Sequence, residues 1–419
     1  MGWRNCVSVT RWYLAALLAC AHLVSFIDRN LIGVLSEPLK AAHGLSDAGL
    51  GLLQGTSFVL LYSIAALPLG LAADRASRRG LIAGGLLVWS VATALCGLAA
   101  SVHGLFAARV LVGLGEAALV PAAMSLLAGQ FPQAQLGRAV SLFTGGASLG
   151  KSAALAGGGA LLGWFSVHGG LGRLAPWQSV FVVAAVPGLI LAAAMLTVRE
   201  PARTTGAAPA RFGEAMRYLR GERPAWLLHG AAATCILLVI QTLAAWAPSF
   251  YVRDFAVTPA QAGMATGAAL LIAAPLGHLC GGALTDWLRR RTDAPAAPVM
   301  ALALALSMLG LALMLAAGSM RASLIGFALF NFCATLGSPA ALAGVQMLAP
   351  DRLRGTLSAL FLAGTTLVGI GLGPVLVGLA SDRAGGLGVA LALVLGVIAM
   401  LGIASALASL RPFAAANRT

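Results

Sequence analysis

Twelve long apolar segments separated by short polar loops constrain this chain more than any other feature. A helix needs about 20 apolar residues to cross a bilayer, and within lipid only helices and closed barrels satisfy every backbone hydrogen bond. Composition agrees, because 59% of the residues are hydrophobic and only 10% are charged. We therefore predict an all-α membrane protein with twelve transmembrane helices. The predicted spans are 12–35, 49–72, 80–100, 105–129, 139–166, 178–198, 224–248, 262–284, 297–318, 323–348, 356–380 and 387–409.

A short motif occurs twice, about half the chain apart. Gly70 lies at the end of the second span and is followed by Asp74-Arg75, and Gly282 lies at the end of the eighth and is followed by Asp286. Glycine lets two membrane helices approach closely, and arginines favour the membrane surface. We expect contacts between the aspartates and arginines to form a gate on the inner face; the alternative, that the arginines only set the topology, remains open. The arginines that complete the motifs are Arg78 and Arg79 in the first, and Arg289, Arg290 and Arg291 in the second.

The repeated motif predicts two pseudo-symmetric six-helix halves. We place them at 1–198 and 224–419, joined by a cytoplasmic linker at 199–223. Within the linker, Phe212 and Met216 fall on one helical face, which is consistent with a short helix on the membrane surface; a solvated linker is the alternative. Two halves in parallel repeat are typical of alternating-access transporters with a site at the repeat interface.

The distribution of positive charge predicts the orientation. Of the 27 Lys and Arg residues, most lie on the side of the two termini, which the positive-inside rule makes cytoplasmic. They are spread over short loops and not gathered on one soluble face, so we do not expect nucleic-acid binding. The expected protein is a monomer in a bacterial inner membrane. The loops of the opposite side hold Lys40, Arg173, Arg253, Arg321 and Arg383.

The doubled motif resembles the inner-face motif of the major facilitator superfamily, and further residues resemble its Spinster-type branch. The resemblance implies a secondary transporter in which the first and fourth spans are neighbours. That branch includes exporters of lysolipid and sphingoid substrates. A neighbouring branch of organic anion and proton symporters remains an alternative, as does a facilitative carrier without proton coupling. The residues that resemble the branch are Asp28-Arg29, Leu45-Ser46-Asp47, Trp89-Ser90 and Arg109 with Gly113, Gly115 and Glu116.

The candidates for proton coupling are four charged residues in the first and fourth spans: Asp28, Arg29, Arg109 and Glu116. Ionisable groups at membrane depth are functional candidates by default. At a rise of 1.5 Å per residue, Asp28 and Arg29 fall between the depths of Arg109 and Glu116, so we expect an Asp28–Arg109 or Arg29–Glu116 pair. Burial favours a neutral carboxyl and a nearby arginine favours the ionised form, so an exchange of partners can load and release a proton at Asp28 and Glu116. A static ion-pair network is the alternative.

Other polar residues within predicted spans complete the candidate cavity. Lys151 stands in span five where relatives carry a small residue; it either faces the cavity and attracts an anionic group or snorkels to a wet end of the span. His22 lies seven residues before Arg29 and shares its helical face, although a lone histidine is often packed and hydrogen-bonded. Gln241 and Asn331 either line the cavity or bond between helices.

Several other classes of function are not expected. Gly145, Gly150, Lys151 and Ser152 match the spacing of a phosphate-binding loop, but they lie inside an apolar span and not between a strand and a helix, so we expect no nucleotide. HExxH is absent from the sequence, and GxSxG occurs once, at Gly146–Gly150 inside the same apolar span and not at a strand-to-helix turn, so we do not expect an enzyme. No cysteine or histidine pair has metal-ligand spacing, and we assign no metal or cofactor. The expected activity is proton-coupled transport of a small organic or amphipathic, lipid-like and anionic solute.

Overall fold

The computed structural model describes residues 2–73, 76–198, 200, 212–221, 223–350 and 352–418. Asp74 and Arg75 of the first doubled motif lie outside the described residues, as does linker segment 201–211. Every regular element in the described part is helical. The helices are α1 (Gly2–His43), α2 (Asp47–Gly51), a π-helical turn (Leu52–Thr56), α3 (Ser57–Ala73), α4 (Arg78–Leu98), α5 (Val102–Glu116), α6 (Leu119–Gln130), α7 (Gln133–His168), α8 (Pro176–Met195), α9 (Phe212–Gly221), α10 (Arg223–Phe255), α11 (Pro259–Arg289), α12 (Ala296–Ala316), α13 (Met320–Leu348), α14 (Arg354–Gly371), α15 (Gly373–Ala384) and α16 (Leu387–Arg418).

The helices confirm the predicted all-α membrane fold. Eleven helical stretches of the described residues are long and apolar enough to cross a membrane, and they correspond to eleven of the predicted spans. The remaining predicted span, 139–166, lies within α7, which has 36 residues. At 1.5 Å per residue this helix is longer than the hydrocarbon core is thick, although its glycines and Lys151 make it less apolar than the others.

Two spans are broken by proline. Pro121 has no N–H to donate to the carbonyl of Ala117, and the chain leaves the helix at Ala117 and Ala118, between α5 and α6. Pro374 acts in the same way where α14 ends and α15 begins. The first break makes Glu116 the last residue of α5, in the interior of the fourth span.

The described residues form two compact units, and each contains most of one half of the sequence. In the first unit α1 packs on α7, and α4 packs on α5 and α8. In the second unit α12 packs on α13, α10 packs on α16, and α2 packs on α15. Each unit also includes a short segment from the other half of the sequence. The first comprises the described parts of 1–45, 56–206 and 257–267, and the second those of 46–55, 207–256 and 268–419.

Glycines place α5 tightly against its neighbours in the first unit. A Cβ atom built on Gly113 would lie 2.0 Å from the carbonyl oxygen of Phe58 in α3, and one on Gly115 would lie 2.6 Å from the backbone nitrogen of Trp89 in α4. No other residue fits at these positions without moving a helix. Such close approach through small residues is how membrane helices gain packing energy, and it fixes the positions of the charged residues on α5.

Among the described residues, the glycines of the doubled motif make no contact as close as these. A Cβ on Gly282 would meet no described atom within 4 Å, whereas one on Gly281 would lie 2.1 Å from the carbonyl oxygen of Leu336. A Cβ on Gly70 would lie 3.8 Å from the Cβ of Pro121, an ordinary contact. The role of Gly70 and Gly282 in helix approach therefore stays a prediction, and in α11 the neighbouring Gly281 makes the close contact that the described residues show.

The last part of the linker is a helix that packs on the second unit. Ala215 of α9 is fully buried, the Tyr218 hydroxyl donates a hydrogen bond to the Leu348 carbonyl, and Glu214 pairs with Arg352. Residues 212–221 therefore form the expected short helix, whose buried side contacts protein; its location on the membrane surface stays a prediction. The arginines of its other side, Arg217 and Arg220, are exposed.

Candidate functional site

Helices α1 and α5 bring five polar residues together inside the first unit. Residues three or four apart on α1 share one face, as do residues seven apart on α5, and the two faces meet. All five are at least nine-tenths buried. Four of them were predicted as candidates, and the fifth, Ser25, was not. We call this group the Glu116 cluster; it comprises Ser25, Asp28, Arg29, Arg109 and Glu116.

Glu116 forms a buried ion pair with Arg29, which is one of the two predicted pairings. Arg29 Nη2 donates to Glu116 Oε2 over 2.6 Å, and the Ser25 hydroxyl donates to the same oxygen over 2.7 Å. Glu116 Oε1 has no hydrogen-bond partner among the described residues. The carboxylate is thus compensated on one oxygen and uncompensated on the other.

Arg109 does not bind the carboxylate of Asp28. Its Nη1 donates to the Asp28 carbonyl oxygen over 3.0 Å, and its Nη2 donates to the Arg29 carbonyl oxygen over 3.4 Å. Neither carboxyl oxygen of Asp28 has a hydrogen-bond partner in the described part of the chain. The Thr93 hydroxyl of α4 faces this carboxyl without completing a hydrogen bond of ordinary geometry.

Three aromatic rings surround the guanidinium of Arg29. Its Cζ atom lies 4.4 Å from the ring centre of Phe58, 4.7 Å from that of Phe26 and 5.3 Å from that of Tyr62. The negative face of an aromatic ring attracts a cation within about 6 Å. We call Phe26, Phe58 and Tyr62 the aromatic cage. The cage gives Arg29 a favourable contact that does not depend on Glu116.

The remaining predicted residues of the first unit lie along α1 and α7. His22 Nδ1 is 2.9 Å from the Phe143 carbonyl oxygen, and the imidazole stacks on the Phe143 ring with centres 4.2 Å apart, which agrees with the packing interpretation of this histidine. Lys151 is half-buried in the middle of α7. It follows Gly150, where a Cβ would lie 2.3 Å from the Leu23 carbonyl oxygen, so Lys151 lies beside the contact between α1 and α7.

Gln241 and Asn331 belong to the second unit. Gln241 is half-buried in α10. Asn331 is fully buried in α13, and its Nδ2 donates to the Phe327 carbonyl one turn earlier, over 2.9 Å. Its Oδ1 has no hydrogen-bond partner among the described residues. The hydrogen bond of Asn331 that the structure shows is therefore made within its own helix.

The arginines of the first doubled motif contact a carboxylate that the sequence did not point to. Arg78 Nε donates to Glu200 Oε1 over 3.0 Å, the Ser77 hydroxyl donates to Glu200 over 2.6 Å, and Arg79 donates to the carbonyls that follow α8. Burial raises the pKa of Glu200, but the hydrogen bonds from Ser77 and Arg78 outweigh it and lower the pKa to about 2. In the second motif Asp286, Arg289 and Arg290 are exposed.

A second group of charged residues connects three helix ends in the second unit. Arg253 at the end of α10 binds Asp47 through two hydrogen bonds of 2.7 and 2.8 Å, and the Ser381 hydroxyl donates to Asp47 over 2.6 Å. The carboxylate of Asp382 accepts the backbone N–H groups of Asp47 and Ala48, each over 3.0 Å. We call Asp47, Arg253, Ser381 and Asp382 the Asp47 cluster. No local sequence pattern connects positions so far apart, and the Asp47 cluster was therefore not predicted from the sequence.

The fold and these buried charges define an integral, multi-pass helical membrane protein with ionisable groups inside its spans. Residues 18–374 match the Major Facilitator Superfamily. The chain therefore belongs to this family, whose members are transporters.

Individual relatives agree with the predicted Spinster-type resemblance. An MFS-type efflux pump of Mycolicibacterium smegmatis is 29% identical over 376 residues, which is 88% of this chain and 84% of that protein. Human protein spinster homolog 1 is 27% identical over 256 residues, or 58% of this chain, and the match spans only 46% of the human protein. The solved structure of a bacterial homolog of the lysosomal transporter Spinster, described as inward-facing and unoccupied, superposes with a TM-score of 0.82 at 24% identity, covering 98% of this chain and 97% of the other. This structural likeness shows a shared fold.

Proposed function

We propose that the protein is a proton-coupled secondary transporter for a small organic or amphipathic, lipid-like and anionic solute. The observation that carries the proposal is the Glu116 cluster, which places two carboxyl groups among two arginines inside the membrane-spanning part of the first unit. The proposal includes a monomer in the bacterial inner membrane, with both termini cytoplasmic. That orientation follows from the distribution of Lys and Arg.

The two carboxyls differ in their compensation, which supports a role in moving protons. Glu116 is compensated as an anion by Arg29 and Ser25, whereas Asp28 has no hydrogen bond to its carboxyl in the described residues. An uncompensated charge at membrane depth is unfavourable by several kcal/mol. A change in the partner of Arg29 would therefore favour uptake of a proton from water by one carboxylate and its later release on the other side of the membrane.

The proposed direction of transport is supported by a relative, and the proposed gate is supported by the doubled motif. The relative named as an efflux pump supports export, which with proton coupling means exchange of solute for protons. We further propose that the doubled motif, with Asp74, Arg75 and Arg78 in the first half and Asp286 in the second, forms the cytoplasmic gate. Arg79, Arg289 and Arg290 would complete it, with Gly70 and Gly282 as the motif glycines. Gln241 and Asn331 would line the cavity in the half comprising 224–419, as Lys151 and His22 would in the half comprising 1–198.

Transport by purified protein in proteoliposomes with an imposed pH gradient tests the coupling. The probes are lysophosphatidylglycerol, an anionic amphiphile, and ethidium, a cation. Glu116→Gln and Asp28→Asn should each lower gradient-driven accumulation at least about tenfold, because the proton site is lost, while exchange without a gradient partly survives. Glu214→Gln, which removes a carboxylate outside the cluster and outside the proposed gate, is the matched control and should accumulate normally. Full gradient-driven transport by both cluster variants would leave a static ion-pair network in a facilitative carrier.

Substitutions of Lys151 test whether the protein binds an anionic solute. In Lys151→Ala we expect the affinity for lysophosphatidylglycerol to fall about tenfold, since a hydrogen bond to a charged group contributes about 1.5–3 kcal/mol. Binding of ethidium should not weaken. Lys151→Arg keeps the charge and should retain most of the affinity. Equal affinities of Lys151→Ala and the unaltered protein for the anionic probe would show that Lys151 does not contact the solute.

A further inference from the structure

The Glu116 cluster contains one residue whose chemistry suits both protonation states of Glu116. We propose that Ser25 is the positioning residue that stays hydrogen-bonded to Glu116 when it is ionised and when it is protonated, while the aromatic cage holds Arg29 during the protonated state. This inference rests on the proposed function, because it describes how a proton taken up at Glu116 is accommodated.

The two hydrogen-bond donors to Glu116 differ in whether they can also accept a hydrogen bond. Arg29 Nη2 and the Ser25 hydroxyl both bind Oε2, at 2.6 and 2.7 Å. A guanidinium can only donate hydrogen bonds, whereas a hydroxyl can donate and accept. A protonated carboxyl must donate its own O–H, and a buried O–H without an acceptor is unfavourable by about 1–3 kcal/mol. Of these two partners, only Ser25 can accept it.

Arg29 needs another favourable contact once Glu116 has become neutral. The ion pair is then broken, and a buried arginine without a counter-charge is strongly disfavoured. All three rings of the aromatic cage lie within 5.3 Å of its Cζ atom, so their negative faces remain available. The attraction of the rings is stronger for a lone cation than for an ion pair, because the carboxylate of the pair opposes it.

Of the described groups that are hydrogen-bonded to Glu116, Ser25 is the one that can accept. Arg109 on the same helix only donates, and its Nη groups are engaged by the carbonyls of α1. The carboxyl oxygens of Asp28 have no hydrogen bond with any described group, Glu116 included. Helix α6 contains no ionisable side chain. The charged and titratable groups that face Glu116 from the packed helices are Asp28 and Arg29 of α1, Tyr62 of α3 and Arg109 of α5.

The proton balance of the step is simple. A proton from water forms an O–H bond with one carboxylate oxygen of Glu116, and its hydrogen bond from Arg29 is lost. The Ser25 hydroxyl rotates about its C–O bond, so that a lone pair replaces the hydrogen that it donated. Release of the proton to water reverses each change, and no other reactant is needed.

Infrared difference spectra of the purified full-length protein in nanodiscs test the role of Ser25, with protons as the only added ligand. Acidification should produce a carboxylic C=O band that is missing in Glu116→Gln, which assigns it. A hydrogen bond lowers the frequency of such a band. The band should therefore move to higher frequency in Ser25→Ala and stay in place in Ser25→Thr, which retains the hydroxyl. Ser25→Cys is close in size to the unaltered residue and forms only weak hydrogen bonds, so it should give an intermediate shift. It provides the test if Ser25→Ala does not fold.

The same spectra test the aromatic cage. Tyr62→Leu removes a ring face and should lower the amplitude of the Glu116 band at a given acidic pH about threefold, the effect of one weak cation–π contact. Tyr62→Phe keeps the face and should retain the amplitude.

The outcomes separate this inference from the proposed function. A Glu116 band that has the same frequency in Ser25→Ala and Ser25→Cys as in the unaltered protein overturns the role of Ser25 and leaves proton uptake at Glu116 in place. An equal loss of amplitude in Tyr62→Leu and Tyr62→Phe overturns the role of the cage. If acidification produces no band that depends on Glu116, proton uptake at this residue is refuted, and the inference with it.

Discussion

The Glu116 cluster and the Asp47 cluster contain the same types of residue but differ in how completely their polar atoms are bonded. In the Asp47 cluster both oxygens of Asp47 accept from Arg253, and both oxygens of Asp382 accept backbone N–H groups. In the Glu116 cluster Glu116 Oε1 and both carboxyl oxygens of Asp28 have no hydrogen bond within the described residues. Unbonded buried polar atoms in a native protein call for a functional explanation, and the proposed proton transfer provides one.

The position of each cluster along its helices explains the difference. Asp47 and Ala48 begin α2, where the first N–H groups of a helix have no partner within the helix, so a carboxylate can be bonded by backbone alone. Asp28 lies far inside α1, where the neighbouring amides already bond to carbonyls one turn earlier. Its carboxyl depends on side chains from other helices. We infer that backbone N–H groups at the start of α2 stabilise the carboxylate of Asp382, whereas the interior of α1 offers Asp28 none.

The largest expected effect on stability comes from removing one arginine of each cluster. Arg29→Leu leaves the Glu116 carboxylate buried without its counter-charge, which should lower the free energy of unfolding by about 3–5 kcal/mol. Arg253→Leu should lower it by only about 1–2 kcal/mol, because the Arg253 side chain is 23% exposed and Ser381 still donates to Asp47. Thermal unfolding in detergent measures both, with Arg29→Lys and Arg253→Lys as controls that keep the charge. Equal losses in the two leucine variants would contradict the distinction.

A smaller effect is expected from the cap of α2. Asp382→Asn keeps an oxygen that can accept a hydrogen bond but removes the negative charge from the N-terminus of the helix, which should lower the free energy of unfolding by about 0.5–1 kcal/mol. Asp382→Ala removes both acceptors and should be the more destabilising variant in the same thermal assay. Identical midpoints for the unaltered protein and Asp382→Ala would show that this cap contributes nothing.

The smallest effect is expected at Glu200, and it distinguishes this carboxylate from the Glu116 cluster. The pKa of Glu200 in the folded protein, about 2, lies below its ordinary value of 4.5. Its contribution to stability is therefore complete above about pH 4.5 and is lost as the pH falls toward 2. Glu200→Gln should consequently leave the pH dependence of transport between about pH 6 and 8 unchanged, because this carboxylate does not titrate there. A changed profile in that range would place part of the coupling at the end of α8.

The candidate site was partly predictable because some of its geometry lies within single helices. Arg109 and Glu116 share a face of α5 at any packing of that helix, since a seven-residue spacing is close to two turns. The Arg29–Glu116 pair needed one further assumption, that α1 and α5 are neighbours. Ser25 lies on the same face as Arg29, four residues away, and that spacing was the signal that could have identified it. The orientation of Arg109 toward backbone carbonyls had no signal in the sequence.

The sequence by itself determined the class of the protein and the positions of eleven of its predicted spans. These properties depend on hydropathy and on hydrogen bonds between residues four apart, so each is decided within a few turns of chain. Only the tertiary structure decided that Arg253 binds Asp47, that Arg78 binds Glu200 and that Gly281 accommodates a neighbouring helix. Such contacts join residues that are distant in the chain, and a rotation of one residue, about 100° around a helix, is enough to change which side chain meets the partner.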